Sequence, residues 1–173
     1  PVIVRPLDLG EVLNGLAFEI VAGHRRVAAA KVANLAGVPC IVRELTDAQA
    51  LEIAIIENLQ RRDIQPLDEA DGYGALLDHP GYDVAAIAAK VGKSKAYVYQ
   101  RLKLRDMVPG ARELLANHTI TVGHALLLAR LQPADQKDAL RFVQRDDYSM
   151  GGGPVRVTVS IAQLARSIEQ NYY

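Results

Sequence analysis

The hydrophobic pattern changes period partway along the chain. Val2-Ile3-Val4-Arg5-Pro6 is β-branched and stopped by proline, and Phe18-Glu19-Ile20-Val21 alternates before Ala22-Gly23. Cys40-Ile41-Val42-Arg43 follows the turn signal Gly37-Val38-Pro39. These three runs predict strands, the last one buried with Cys40 as a core residue rather than a nucleophile. Between the second and third, the Ala-rich stretch from Arg25 to Leu35 predicts a helix that stops at Gly37.

From Thr46 the apolar positions recur at helical spacing. Thr46 with Gln49 three residues on is a capping box, and Leu51, Ala54, Ile55 and Leu59 follow on one stripe. Pro66, followed by Asp68 and Glu69, suits a helix first turn, and His79-Pro80-Gly81 ends that helix. Further helices are predicted over Val84–Val91, Ser94–Arg105, Gly110–Asn117, Val122–Arg130, Ala134–Arg145 and Thr158–Gln170, with a glycine-rich connector from Ser149 to Pro154. The class is α+β, a small mixed region followed by an all-helical one.

Half of the 173 residues are hydrophobic, so a sizeable core is available, but only 5% are aromatic and none is Trp, so that core is aliphatic. No apolar run approaches the ~20 residues of a membrane span. The single cysteine excludes an internal disulfide and any multi-cysteine zinc site. It fits a reducing, cytoplasmic compartment. No signal peptide opens the chain, and Pro1 in place of Met suggests a piece of a longer protein. Formal net charge is zero, yet Lys90, Lys93, Lys95, Arg101, Lys103 and Arg105 fall in a stretch without Asp or Glu. A nucleic-acid face fits inside a neutral total.

Three constellations carry chemistry. In Gly23-His24-Arg25-Arg26 a strand runs into glycine and two arginines open a helix. A helix N-terminus offers free N–H groups, and arginine adds forked donors for phosphate oxygens. The same residues also read as solvated charges on an ordinary helix. The P-loop spacing is absent. In Glu57-Asn58-Leu59-Gln60-Arg61 an acid and a carboxamide supply oxygens for Mg²⁺ or orient a water, and Arg61 could reach a phosphate. From the residues alone, a helix ending in solvent with Glu57 unpaired is the favoured reading.

The third is a helix-turn-helix over 84–102. Ile87, Val91, Val98 and Leu102 form the seam, Ala88 lets the helices approach, Gly92 permits the turn and Ser94 caps the second helix. That helix presents Lys93, Lys95, Tyr97, Gln100 and Arg101 for the major groove, with Gln or Arg for base edges and Lys for phosphates. Lys103 continues the basic run. A plain helical hairpin with a basic face is the competing reading. Gly123-His124-Ala125 opens another helix, which suits either a DNA phosphate or a structural cap with a hydrogen-bonded histidine. His79 and His118 are surface or turn residues, not metal ligands.

With these segments in order, the chain resembles the ParB/Spo0J/KorB-type partition proteins. Ile20-Val21-Ala22-Gly23-His24-Arg25-Arg26-Val27-Ala28-Ala29 looks like their triphosphate motif, and Ile56-Glu57-Asn58-Leu59-Gln60-Arg61 with Pro66 and Glu69-Ala70 like their second nucleotide motif. The helix-turn-helix and Gly123-His124-Ala125 follow.

The resemblance implies a ParB-like CTP-binding domain over 1–63, a helix-turn-helix DNA-binding domain over 64–148, and a connector with a C-terminal helix over 149–173. It implies CTP with Mg²⁺ as cofactors. Ala22, Gly23, His24, Arg25, Arg26, Glu57, Asn58 and Arg61 would hold the nucleotide, Asn58 and Glu57 the metal. Lys93, Ser94, Lys95, Tyr97, Gln100, Arg101, Lys103, Gly123 and His124 would meet the DNA.

It also implies a palindromic centromere-like site, a nucleotide-dependent homodimer that closes into a sliding clamp for plasmid or chromosome segregation, and a nucleoid- or plasmid-associated location. The segment that meets a ParA-type ATPase would lie before Pro1, and a dimerisation domain after Tyr173. His24 stands where the family carries glutamate, so CTP binding with slow or absent hydrolysis is expected, Glu57 being the remaining candidate catalytic group. The competing functions are a nucleotide-independent helix-turn-helix regulator and a ParB-fold small-molecule kinase.

Overall fold

The computed structural model describes residues 1–7, 17–61, 63–147 and 155–172. The Ser149–Pro154 connector lies outside them. The chain divides into two compact units, Pro1–Arg62 and Asp63–Tyr173.

The first unit is a three-stranded sheet with two helices. Strands β1 (Val2–Pro6), β2 (Phe18–Ala22) and β3 (Cys40–Val42) are ordered β2-β1-β3, β1 being antiparallel to β2 and parallel to β3. Helix α1 (His24–Val32) connects β2 to β3, and α2 (Asp47–Leu59) follows. Val2, Val4, Val21, Ala22, Ala30, Ala50 and Leu59 are buried. Arg5 ties the unit together, with ion pairs to Glu19 in β2 and, at 2.6 Å, to Asp47 in α2, and a hydrogen bond to the Leu45 carbonyl at 3.3 Å. Hydrogen bonds to Asp47 and Glu19 hold the Arg5 guanidinium above its usual pKa.

Two local expectations change here. Cys40 is exposed, not core, because β3 is an edge strand and all three of its residues are exposed. Helix α1 stops at Val32, short of Leu35, because Asn34 takes a left-handed conformation (φ 51°). Leu35 N–H then returns to the Ala30 carbonyl at 3.0 Å and Asn34 N–H to that of Lys31 at 3.1 Å, the Schellman arrangement that satisfies a helix end.

The second unit is mostly helical: α3 (Pro66–Leu77), α4 (Val84–Val91), α5 (Lys95–Lys103), a 3₁₀ turn (Leu104–Asp106), α6 (Pro109–Ala116), α7 (Val122–Leu128), α8 (Pro133–Val143) and α9 (Ile161–Tyr172). Leu104, Ala125, Leu128, Val143 and Leu164 belong to one buried cluster. Gln136 sits wholly inside the unit, accepting from Val108 N–H at 2.9 Å and donating to the carbonyls of Asp106 (2.9 Å) and Leu131 (3.1 Å). A hairpin of β4 (Gln144–Asp147) and β5 (Val155–Thr158) precedes α9. Sequence periodicity carries α8 on to Arg145, but the alternating Val155-Arg156-Val157-Thr158 supplies a partner that pulls Gln144–Asp147 into an extended strand.

Candidate functional site: a nucleotide-sized cavity and a basic helix-turn-helix

Local geometry in the first unit prepares one end of α1. Gly23 is its N-cap, left-handed at φ 98°, and no side chain caps the helix. Arg26 and Val27 N–H groups bond the Gly23 carbonyl at 2.9 and 3.2 Å. Helix α2 starts from the predicted capping box, with Gln49 N–H to Thr46 Oγ1 at 3.3 Å and Thr46 N–H to Gln49 Oε1 at 3.0 Å.

These helices frame a cavity of about 420 Å³ lined by Val21, Gly23, His24, Arg25, Arg26, Ala54, Glu57, Asn58 and Arg61. That volume is in the range of small-molecule sites. Two sequence-distant constellations thus share one wall. Arg26 Nη1 donates to the Pro1 carbonyl at 2.7 Å, and Arg61 Nη1 to Asn58 Oδ1 at 3.2 Å. Ala22 is buried behind the cavity, and Val21 lines it instead. Val21 and Ala54 are lining residues the sequence reading missed; as apolar members of β2 and α2 they carry no polar signal. A smaller recess of about 280 Å³ shares Val21, His24 and Ala54 and runs on to Arg5, Glu19 and Asp47.

The cavity is anion-favouring by construction: an uncapped helix N-terminus, two arginines on it and a third facing them. Glu57 and Asn58 supply the oxygen atoms. Among the described residues no group of three or more His, Cys, Asp or Glu could hold a metal. The Glu57 carboxylate and the Asn58 carboxamide are oxygen donors of the kind that hard cations take.

In the second unit, Asp83 Oδ1 caps α4 from Ala86 N–H at 2.7 Å and Ser94 Oγ caps α5 from Tyr97 N–H at 3.1 Å. Gly92 makes the left-handed turn at φ 67°, and Lys93 N–H returns to the Ala88 carbonyl at 3.0 Å. Ile87 and Val98 are fully buried in the seam, with Val91 and Leu102 half-buried beside them.

Helix α5 presents Lys95, Ala96, Tyr99, Gln100 and Lys103 to solvent, with Lys93 and Ser94 exposed in the preceding turn. Tyr99, 61% exposed, is a member of this face that the sequence reading passed over; its position four residues from both Lys95 and Lys103 is the signal. Tyr97 and Arg101 are only half-buried and turned inward, because a buried carboxylate awaits them. Glu69 of α3 accepts from Arg101 Nε at 2.8 Å and Tyr97 OH at 2.9 Å through Oε2, and from Tyr73 OH at 2.6 Å through Oε1. Tyr97 OH also accepts from Arg101 Nη2 at 3.0 Å, and the guanidinium lies 4.6 Å from the Tyr97 ring centre. Burial and the hydrogen bond to Glu69 push the Tyr73 phenol well above its ordinary pKa. Burial likewise raises Tyr97, against the Arg101 bond. Burial alone would lower the Arg101 guanidinium, but bonds to Tyr97 and Glu69 outweigh it and the net direction is up.

The histidine of Gly123-His124-Ala125 is also internal. His124 is buried, its Nδ1 accepting from Thr121 N–H at 3.3 Å and its Nε2 bonding the Val159 carbonyl at 2.8 Å. Both nitrogens have protein partners, so the structural cap is the arrangement present. Gly123 lies in close contact with α9: a β-carbon there would come within 2.5 Å of Ile161 Cδ1.

Residues 1–59 match the family model of the ParB N-terminal domain and residues 62–151 that of the ParB HTH domain. The chromosome-partitioning protein Spo0J of Thermus thermophilus is 44% identical over 150 residues, covering 87% of this chain and 53% of the relative. Stage 0 sporulation protein J of Bacillus subtilis is 40% identical over 138 residues, covering 80% and 48%. The chain thus spans about half the length of these curated relatives. Among solved structures, C-terminally truncated ParB from Caulobacter crescentus, complexed to the centromeric parS site, superposes with a TM-score of 0.73 at 32% identity, covering 98% of this chain and 82% of that one. With both halves matched in order and the fold shared along nearly all of its length, the chain belongs to the ParB/Spo0J family of chromosome-partitioning proteins.

Proposed function

We propose that this chain is the nucleotide- and DNA-binding part of a CTP-dependent partition protein. It binds a centromere-like DNA site and closes as a homodimer into a clamp when the nucleotide is bound. The observation that carries the reading is that Gly23-His24-Arg25-Arg26 and Glu57-Asn58-Arg61 line one cavity. Backbone N–H groups of the α1 N-terminus and the guanidiniums of Arg25, Arg26 and Arg61 bind the triphosphate. Asn58 Oδ1 and the Glu57 carboxylate would hold Mg²⁺, which neutralises phosphate charge when bound.

Nucleotide favours the closed dimer because it binds that state better. Turnover is slow: His24 has no carboxylate, and Glu57 is the acidic group left in the cavity as the candidate catalytic residue. Helix α5 enters the major groove with Tyr99 and Gln100 toward base edges and Lys95 and Lys103 toward phosphates. Lys93 and Ser94 lie at its N-terminal approach.

Titration of labelled CTP with Mg²⁺ tests the reading, together with crosslinking of the chain with and without DNA. Saturable binding and DNA-stimulated crosslinking are expected. No binding at high micromolar CTP would overturn it in favour of a nucleotide-independent regulator. Phosphate release at a DNA-stimulated, family-typical rate would overturn the slow-turnover element alone.

A further inference from the structure

We infer that Glu69 is a positioning residue for DNA reading: it fixes the groove-facing side of α5 by holding Arg101 and Tyr97 on the opposite side. The inference rests on the DNA-binding role given to α5 above. Glu69 lies on α3, outside the helix-turn-helix, and its side chain is 4% exposed. Both of its oxygens are used. Oε1 takes the Tyr73 hydroxyl of its own helix, and Oε2 takes Arg101 and Tyr97, one turn apart on α5.

Two anchors four residues apart fix a helix against rotation about its axis, which a single contact cannot do. The geometry is planar and directional, since Arg101 gives Nε to the carboxylate while its Nη2 bonds Tyr97 OH, itself donating to the same carboxylate oxygen. Hydrophobic packing at Val98 fixes which broad face of α5 is buried, but it is non-directional, and the carboxylate adds a directional tie at a second angle. Rotation decides which side chains face the groove. One residue's turn of the helix, about 100°, would put Val98 in the place of Tyr99, or Arg101 in the place of Gln100, on the groove-facing side. Arg101, basic and on the recognition helix, therefore acts through the helix rather than on the DNA.

The test uses the whole 173-residue chain. Wild-type protein enriches a duplex from a randomised pool, and affinities for that duplex and for its scrambled counterpart are measured across salt concentrations. The variants are Glu69→Gln, Arg101→Gln and the two combined. Each single variant is expected to bind the enriched duplex roughly tenfold more weakly, a change of about 1.4 kcal/mol. Affinity for the scrambled duplex and the salt slope stay unchanged, and the double variant is no worse than either single one. A purely structural role would not separate the two duplexes, and circular dichroism melts confirm folding at the assay temperature.

If a single variant is unfolded there, the paired Glu69→Leu/Arg101→Leu replacement removes both charges together and carries the same test. Additive losses, or a salt slope that falls by about 0.9 on Arg101→Gln while Glu69→Gln is silent, would make Arg101 a direct phosphate contact and overturn the inference. Variants that read the enriched duplex as well as wild type also overturn it. Wild-type protein that enriches no duplex overturns the DNA reading itself, an outcome distinct from failure of the latch.

Discussion

Gly23 stands against Val2 so closely that a β-carbon at position 23 would lie 3.2 Å from Val2 Cγ2 and 3.3 Å from Val2 Cα. The first strand therefore seats the turn that opens α1. Gly23→Ala meets this contact and a left-handed φ of 98° at once. A cost of about 1–2 kcal/mol is expected from the backbone alone. The variant should melt lower and bind CTP more weakly, read by calorimetry and titration. An unchanged affinity would mean that the turn does not shape the cavity.

Arg26 and Asn58 belong to the same cavity from opposite constellations. Arg26→Ala removes a charged donor, a loss of about 1.5–3 kcal/mol or roughly 10–150-fold in CTP affinity. Asn58→Ala should weaken binding in the presence of Mg²⁺ and much less in its absence. Isothermal titration with and without the ion separates the two roles.

The exposed face of α5 gives a salt-dependence prediction. Lys95→Ala should reduce the log–log salt slope by about 0.9 and Lys103→Ala by less, and both should weaken all sequences alike. Tyr99→Ala and Gln100→Ala should shift preference between sequences, seen by repeating the duplex selection. Lys103 also pairs with Asp106 at 2.7 Å, so part of its charge is already engaged and its effect should be the smaller of the two.

High pH should weaken the second unit. The phenols of Tyr73 and Tyr97 both have raised pKa values in the folded chain. The stability they bring is fully present below the unfolded phenol value of about 10 and is lost as pH climbs above it, because the unfolded chain ionises first. Tyr73→Phe should flatten that alkaline decline. Melting temperatures between pH 8 and about 11 measure it.

His124→Ala should act on stability and not on DNA. Its ring bonds Thr121 and the Val159 carbonyl from a buried position. Leaving buried partners unsatisfied costs about 1–3 kcal/mol. A lower melting temperature with an unchanged salt slope is expected; a reduced slope would return His124 to the DNA interface.

Much of this was legible because local rules and tertiary structure agree. Thr46 with Gln49, Asp83, Gly92 and Ser94 each announce a helix end by chemistry that acts within a few residues. The two cavity-lining constellations were legible as motifs, but their meeting in one cavity is a property of the fold. Arg101 reads from the sequence as a DNA contact, and its bond to Glu69, 32 residues away, was not legible there because only the fold brings the two together. Cys40 misled for the same reason: a β-branched run after a turn looks central, and only strand order reveals an edge. The β4–β5 hairpin hid behind helical periodicity, since Gln144–Asp147 has no strand signal until Val155–Thr158 pairs with it.

The return of the chain after that hairpin has a practical consequence. Val159, Leu164 and Ile168 complete the same apolar cluster as Leu128 and Val143, and the Val159 carbonyl answers the His124 ring. The glycine run before them looks like an invitation to trim. A shortened product ending at residue 147 would strip the wall from that cluster and strand a polar ring inside it. Such a product should collect in inclusion bodies, whereas one that extends through α9 should stay in the soluble fraction.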